Sequence, residues 1–145
     1  MARPDKVYAR FRGTPASNLT GVWGDDAAPD LICVKLDTNG KLVAAGQGEA
    51  LGVIWTPEGK AHPDVANFNV ALATSVYTVF VIAEFVGSFT EDTSGAALTV
   101  GEGVWSIAAG SVDDAAPGAG TVQKIGHMAF SDEGGPRLFL NVGMV

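Results

Sequence analysis

The sequence predicts an all-β protein, a small β-barrel or β-sandwich with an extended N-terminal arm and little helix. Three observations carry this. Short β-branched runs recur between turn residues at the spacing of sandwiches and barrels. Nineteen glycines punctuate the chain, as turns, bulges and close backbone approaches require. No window of about eleven residues keeps a helical apolar period free of Gly and Pro. The length of 145 residues suits one domain that buries roughly 70% of its unfolded surface. A hydrophobic fraction of 47% with 17% charged residues lies far from the composition of disordered chains.

The first element is residues 1–20, a basic arm ahead of a single β-domain over 21–145. Arg3, Lys6, Arg10 and Arg12 against Asp5 give residues 1–12 a charge of +3, while the remainder carries −10. Pro4 and the run Gly13-Thr14-Pro15 favour an extended tether over a helix. Tyr8 and Phe11 among the cations suit an anchor that orders on an acidic partner; the plainer reading is a frayed terminus. In that tether reading, removal of residues 1–13 leaves a folded body.

Strands are expected over 31–36 and 41–44, joined by Asp37-Thr38-Asn39-Gly40, because Asn and Gly both tolerate positive φ in a tight hairpin. Residues 51–55 return as a third strand, and 68–72 and 76–86 follow. In the last of these Tyr77, Val79 and Val81 alternate with Thr78, Phe80 and Ile82, so both faces are apolar and the strand is read as central. Residues 104–108, 121–128 and 137–142 complete the set. There is also an internal echo. Val34-Lys35-Leu36, Gly40-Lys41-Leu42 and Leu51-Gly52-Val53 recur as Val104-Trp105-Ser106, Gly110-Ser111-Val112 and Ile125-Gly126-His127, each a hairpin followed by a strand that opens aliphatic-Gly.

Candidate chemistry is sparse. A net charge of −7 repels phosphate backbones, so nucleic acid is not an expected partner. Cys33, the single cysteine, makes no intramolecular disulfide and reads as a small buried hydrophobe. No apolar stretch follows the N-terminal cations as in a secretory signal, and residues 70–86 fall short of a membrane span. His62 and His127 lie far apart and without zinc spacing. The aspartates at 25, 26, 30, 113 and 114 lack the alternating oxygen pattern of a calcium loop. The glycines at 46, 48 and 52 lack the spacing and following helix of a phosphate loop. No catalytic residue, metal or cofactor is expected, and the reading is a binding or structural role, not an enzyme.

The segment 32–46 closing on Ala50-Leu51-Gly52-Val53-Ile54, the segment 98–110, the strand Gly120-Thr121-Val122-Gln123-Lys124-Ile125-Gly126-His127-Met128, and the terminal Arg137-Leu138-Phe139-Leu140-Asn141-Val142 together resemble the head decoration (capsid cement) proteins of tailed bacteriophages. The resemblance covers about residues 30–145. It implies a β-tulip-like body on the outer surface of an assembled phage head, commonly a homotrimer at local threefold positions, with the major capsid protein as partner. The location it implies is the virion, after assembly in the host cytoplasm. On that reading Arg3, Lys6, Tyr8, Arg10, Phe11 and Arg12 form the capsid-binding arm. Trp23, Trp55 and Trp105 are candidate interface residues, their alternative place being the core. The competing function is a ligand- or host-binding β-domain on the virion, such as a head fibre or receptor-binding module, with exposed tryptophans lining a pocket.

Overall fold

A computed structural model of the chain describes residues 3–20, 30–56, 70–71, 73–87, 97–131 and 135–142. Its strands are β1 (Arg3–Gly13), β2 (Leu19–Thr20), β3 (Asp30–Leu36), β4 (Leu42–Ala44), β5 (Gly52–Thr56), β6 (Val70–Ala71), β7 (Tyr77–Val86), β8 (Gly103–Ser106), β9 (Val112–Asp113), β10 (Lys124–Ser131) and β11 (Gly135–Asn141). The one helical element among the described residues is a 3₁₀ turn at Ala108–Gly110. The main sheet has the order β4-β3-β5-β7-β11-β10-β8-β9, with β1 added to β7, and β2 pairs with β6 separately. The chain is thus an all-β protein whose antiparallel sheet curls like part of a barrel.

Strand β7 is the pivot. Along one edge it pairs with β1 from Arg3–Val86 to Gly13–Tyr77. Its other edge is shared, with β5 opposite Val79 and Phe80 and β11 opposite the segment from Ile82 to Val86. The changeover falls at Val81, an extra residue skipped where Ala9 pairs with Ile82 and Arg10 with Phe80. Such a bulge bends a strand and increases its twist, which lets one strand serve two differently oriented neighbours. The doubly apolar pattern of 76–86 therefore marks a central strand, as its sequence predicts.

Two curls leave this pivot in opposite directions. On one side the chain after β1 reaches β4, where Ala16 N donates to Leu42 O at 2.9 Å and Leu42 N to Thr14 O at 3.0 Å. On the other, the turn before β9 returns to the first hairpin, with Gly110 N donating to Ala45 O at 2.9 Å. Each curl holds a core. The smaller contains Leu19, Ile32, Val34, Leu42, Ile54, Ala71 and Val79, with Phe11 and Tyr77 against it. The larger contains Leu31, Cys33, Val53, Phe80, Phe85, Val104, Val112, Ile125, Met128, Leu138 and Leu140 among others. Alternate residues of β3, β5 and β7 enter opposite cores, so this wall is apolar on both sides. Full burial of each such side chain contributes about 1.5–3 kcal/mol. Phe80 and Phe85 meet edge to face at 5.1 Å inside the larger core, an arrangement aromatic rings favour.

The internal echo is structural. Strands β4, β3, β5 and β7 form one unit, and β9, β8, β10 and β11 form a second with the same order. Val34 pairs with Gly52 and Val104 with Gly126; Leu36 pairs with Leu42 and Ser106 with Val112. Val53–Phe80 corresponds to His127–Phe139, and Ile54–Val79 to Met128–Leu138. The paired glycines do one job. A Cβ at Gly52 would sit 2.8 Å from Phe80 O, and at Gly126 2.6 Å from Phe139 O. Only glycine lets the fourth strand of each unit approach so closely.

Three expectations change. The tether at 1–20 is extended, but residues 3–13 lie in the sheet as β1, because the second edge of β7 would otherwise be left unpaired. Removal of 1–13 would therefore strip that edge and take away Phe11, which packs against the smaller core. The Asp37–Gly40 turn has positive φ at Gly40 (74°) but not at Asn39; Asp37 Oδ1 accepts from Asn39 N and Lys41 N instead, an Asx-type turn. The strand expected over 68–72 is the short β6 at Val70–Ala71, residues 68, 69 and 72 lying outside the described set.

Candidate functional site

Two surfaces carry the residues singled out by sequence, and the first is β1. Its register slips between Pro4 and Lys6 and between Val7 and Ala9, so Asp5 and Tyr8 are bulge residues. Bulges re-aim side chains, and both of these turn over the outer face of β7 and β11. Tyr8 OH donates to Glu84 Oε2 at 2.6 Å. Arg137 Nη1 donates to Asp5 Oδ2 at 2.8 Å and to Glu84 Oε1 at 3.3 Å. The hydrogen bond from Arg137 holds the Asp5 carboxyl below its ordinary value. Donation to Glu84 raises the Tyr8 phenol, since ionisation would place two negative charges together. This network fastens three strands across the sheet.

Of the six residues assigned to the arm, two are thereby used inside the molecule: Tyr8 in this network and Phe11 against the smaller core. Arg3, Lys6, Arg10 and Arg12 are exposed and make no ion pair among the described residues. The outer edge of β1 makes no strand pairing among the described residues. Its cations, Pro4 and bulges also keep such an edge from pairing with another copy of itself.

The second surface is the outer face of the second unit. His127 pairs with Phe139 on one side and Gly103 on the other, and Phe139 pairs with Glu84, so these residues form one row across four strands. A Cβ at Gly103 would come 2.7 Å from the Trp105 ring; the glycine makes room for the indole to lie along the sheet. Lys124 Nζ stands 5.8 Å from the Trp105 ring centroid, within cation–π range. Beside it is an open depression of about 260 Å³ lined by Lys124, Gly126, His127, Phe139 and Asn141. Sequence reading missed this row, although the alignment of His127 with the buried Val53 is a signal that could have found it. The tryptophans divide: Trp55 is half-buried against the larger core, Trp105 is half-buried on the outer face, and Trp23 lies outside the described residues.

Cys33 is fully buried, and burial pushes its thiol up to about 12, opposed slightly by the neighbouring Ser106 hydroxyl. It is therefore a thiol and not a nucleophile at neutral pH. That hydroxyl and the one on Ser111 are buried without a well-formed hydrogen bond among the described residues, so the Cys33 contact is weak. No group of three His, Cys, Asp or Glu among the described residues is placed to hold a metal. His62 lies outside the described residues. No described helix is long and apolar enough to cross a membrane. The sequence matches no family model, and no curated protein or solved structure matches it.

Proposed function

We propose that this chain is a decoration protein that binds the outer surface of an assembled phage head and stabilises it. The observation that carries the reading is the placement of the family-like segments. Residues 32–54 build β3, β4 and β5, and residues 98–128 build β8, β9 and most of β10, the same three strands of the two equivalent units. A protein of this kind acts by occupancy: binding only the assembled lattice stabilises that state in proportion to concentration and affinity. Contacts to several subunits at once add avidity without any one tight contact. Arg3, Lys6, Arg10 and Arg12, fixed on a strand and without an ion pair among the described residues, supply the contact to acidic groups of the major capsid protein. Trimers at local threefold positions complete the reading.

The test is co-sedimentation with undecorated heads, using Arg10→Glu/Arg12→Glu in place of a deletion, because the deletion would expose β7. The wild-type protein is expected to pellet with heads, and the charge-reversed protein to lose at least tenfold in affinity while keeping its circular dichroism. Retained binding by the variant removes β1 from the contact. Failure of the wild type to pellet with heads overturns the decoration role.

The depression beside Phe139 favours the second reading, a ligand- or host-binding virion domain. A ligand there would protect His127 and Phe139 from exchange or labelling in the isolated protein.

A further inference from the structure

The outer face over β8, β10, β11 and β7 has two ends that are built differently. At one end Asp5, Tyr8, Glu84 and Arg137 satisfy one another, both carboxylate oxygens of Glu84 being taken by Tyr8 and Arg137. At the other end Lys124, His127 and Asn141 make no side-chain hydrogen bond or ion pair among the described residues, and all three line the depression of about 260 Å³ with Gly126 and Phe139. A local irregularity gathers them. The register of β10 against β8 shifts between Lys124 and Gly126, and Ile125 and Met128, three residues apart, are both fully buried. The shift brings Lys124 and His127 to one open face, where strict alternation would have opposed them.

The first unit shows the same positions when they only pack. There Ala50, Val53 and Phe80 stand where the second unit has Lys124, His127 and Phe139. Both aliphatic residues have become hydrogen-bonding groups, yet the ring is kept, 44% exposed at Phe139 against 7% at Phe80. Contact with solvent accounts for the two polar groups but gives no reason for an aromatic ring between them.

We infer that this depression binds a hexuronate, a pyranose ring bearing a carboxylate. The exposed ring of Phe139 accepts the apolar side of a sugar, because the negative face of an aromatic ring attracts slightly positive C–H bonds. Asn141 offers donors and an acceptor together, which matches adjacent hydroxyls that donate and accept in turn. Lys124 Nζ stands 5.8 Å from the Trp105 ring centroid, a cation at the rim of a depression that no carboxylate lines. That charge selects an acidic sugar over a neutral one. The volume of about 260 Å³ lies below the roughly 300–1,000 Å³ of drug-sized sites, so it suits a single ring in place of a base, ribose and phosphate together. The inference deepens the reading as a ligand-binding virion domain and draws nothing from head binding.

The experiment is an amide NMR titration of the full chain with galacturonate to about 50 mM, above the millimolar Kd of a weak single-ring ligand. Galactose, inorganic phosphate and polygalacturonate are titrated beside it. Galacturonate is expected to shift the amides of His127, Phe139 and Asn141. Galactose, which lacks the carboxylate, and phosphate, which lacks the ring, are each expected to bind about tenfold more weakly. Phe139→Ala and Lys124→Gln should each weaken galacturonate by about tenfold with unchanged circular dichroism. Phe130→Ala, whose Phe is exposed outside the depression, should leave binding unchanged. Lys124→Gln serves where Phe139→Ala does not fold. Silence of these amides at the highest galacturonate concentration overturns the inference. So does phosphate binding equal to that of the sugar, which marks a bare anion site, or variants that bind as the wild type does. Polygalacturonate that shifts the same amides more tightly than the free sugar supports the site and names a polymer as the source. Absent sugar binding with heads still pelleting strikes this inference alone; absent pelleting with sugar binding intact strikes the decoration role alone.

Discussion

The two β-units share an order of strands, a glycine at the same pairing position and a hairpin glycine at positive φ, Gly40 at 74° and Gly110 at 79°. They differ in their surroundings. The first is covered on both faces, by β1 and the residues after it on one side and by the second unit on the other. Among the described residues the second packs its inner face into the larger core, while its outer face carries individual side chains, Trp105 and Lys124 over Gly103 and Asp5 on Arg137. The same architecture thus gives a septum in one place and a surface in the other. The lesson is that topology alone does not decide which residues are available for contact: Phe80 and Phe139 occupy equivalent positions and have opposite fates.

The largest expected effect tests whether the two curls are one cooperative structure. Leu42→Ala in the smaller core and Leu138→Ala in the larger both remove fully buried side chains, and each should cost about 2–5 kcal/mol. Because β3, β5 and β7 belong to both cores, urea unfolding followed by fluorescence and by circular dichroism should show one coincident transition in each variant. A separate early transition in Leu42→Ala alone would divide the molecule at that septum.

A smaller effect tests the equivalence itself. Gly52→Ala and Gly126→Ala both force a methyl group against the carbonyl of the next strand, and each should lose about 1–3 kcal/mol. Matching losses in chemical denaturation sharpen the correspondence between units; a neutral substitution at either site would break it.

The smallest effect concerns the fastening of β1. The Asp5 carboxyl sits below its ordinary value of 3.8 because Arg137 donates to it. A depressed carboxyl contributes stability that is present above its unfolded value and disappears as pH falls through the folded one. The melting-temperature difference between wild type and Asp5→Asn should therefore be small near neutrality, begin to shrink as pH falls toward 3.8, and vanish only below the lowered folded value. A difference that persists at the acid end would assign the effect to something other than the Arg137 ion pair. Asp5 is a surface group, so salt should reduce the difference as well.

The strands of the first hairpin, the central strand and the two-unit echo were legible because local signals specify them. The Asp37–Gly40 turn, the β-branched run before it and the double apolar pattern of 76–86 each act within a few residues. The place of β1 was not legible for the opposite reason. Its partner lies far along the chain, and its cations and bulges hide the alternation that a paired strand shows. Tyr8 and Phe11 read as anchors for a partner because they are aromatic beside arginine; only the register with Glu84 and the smaller core shows their internal use. The row at His127 and Phe139 was equally hidden, since it exists only once β10 and β11 are paired and aligned with β5 and β7.

The pairing of β1 with β7 also has a consequence for synthesis. Gly13 is made first but pairs with Tyr77, and at about 5–20 residues per second the ribosome delivers that partner roughly 3–13 seconds later. Throughout that interval β1 lacks the β7 edge with which it pairs in the folded protein. Arg3, Lys6, Arg10 and Arg12 repel neighbouring nascent chains on the same message, and Pro4 denies them a continuous ladder. The cations left exposed on β1 of the folded protein thus first act as guards on an unfinished one.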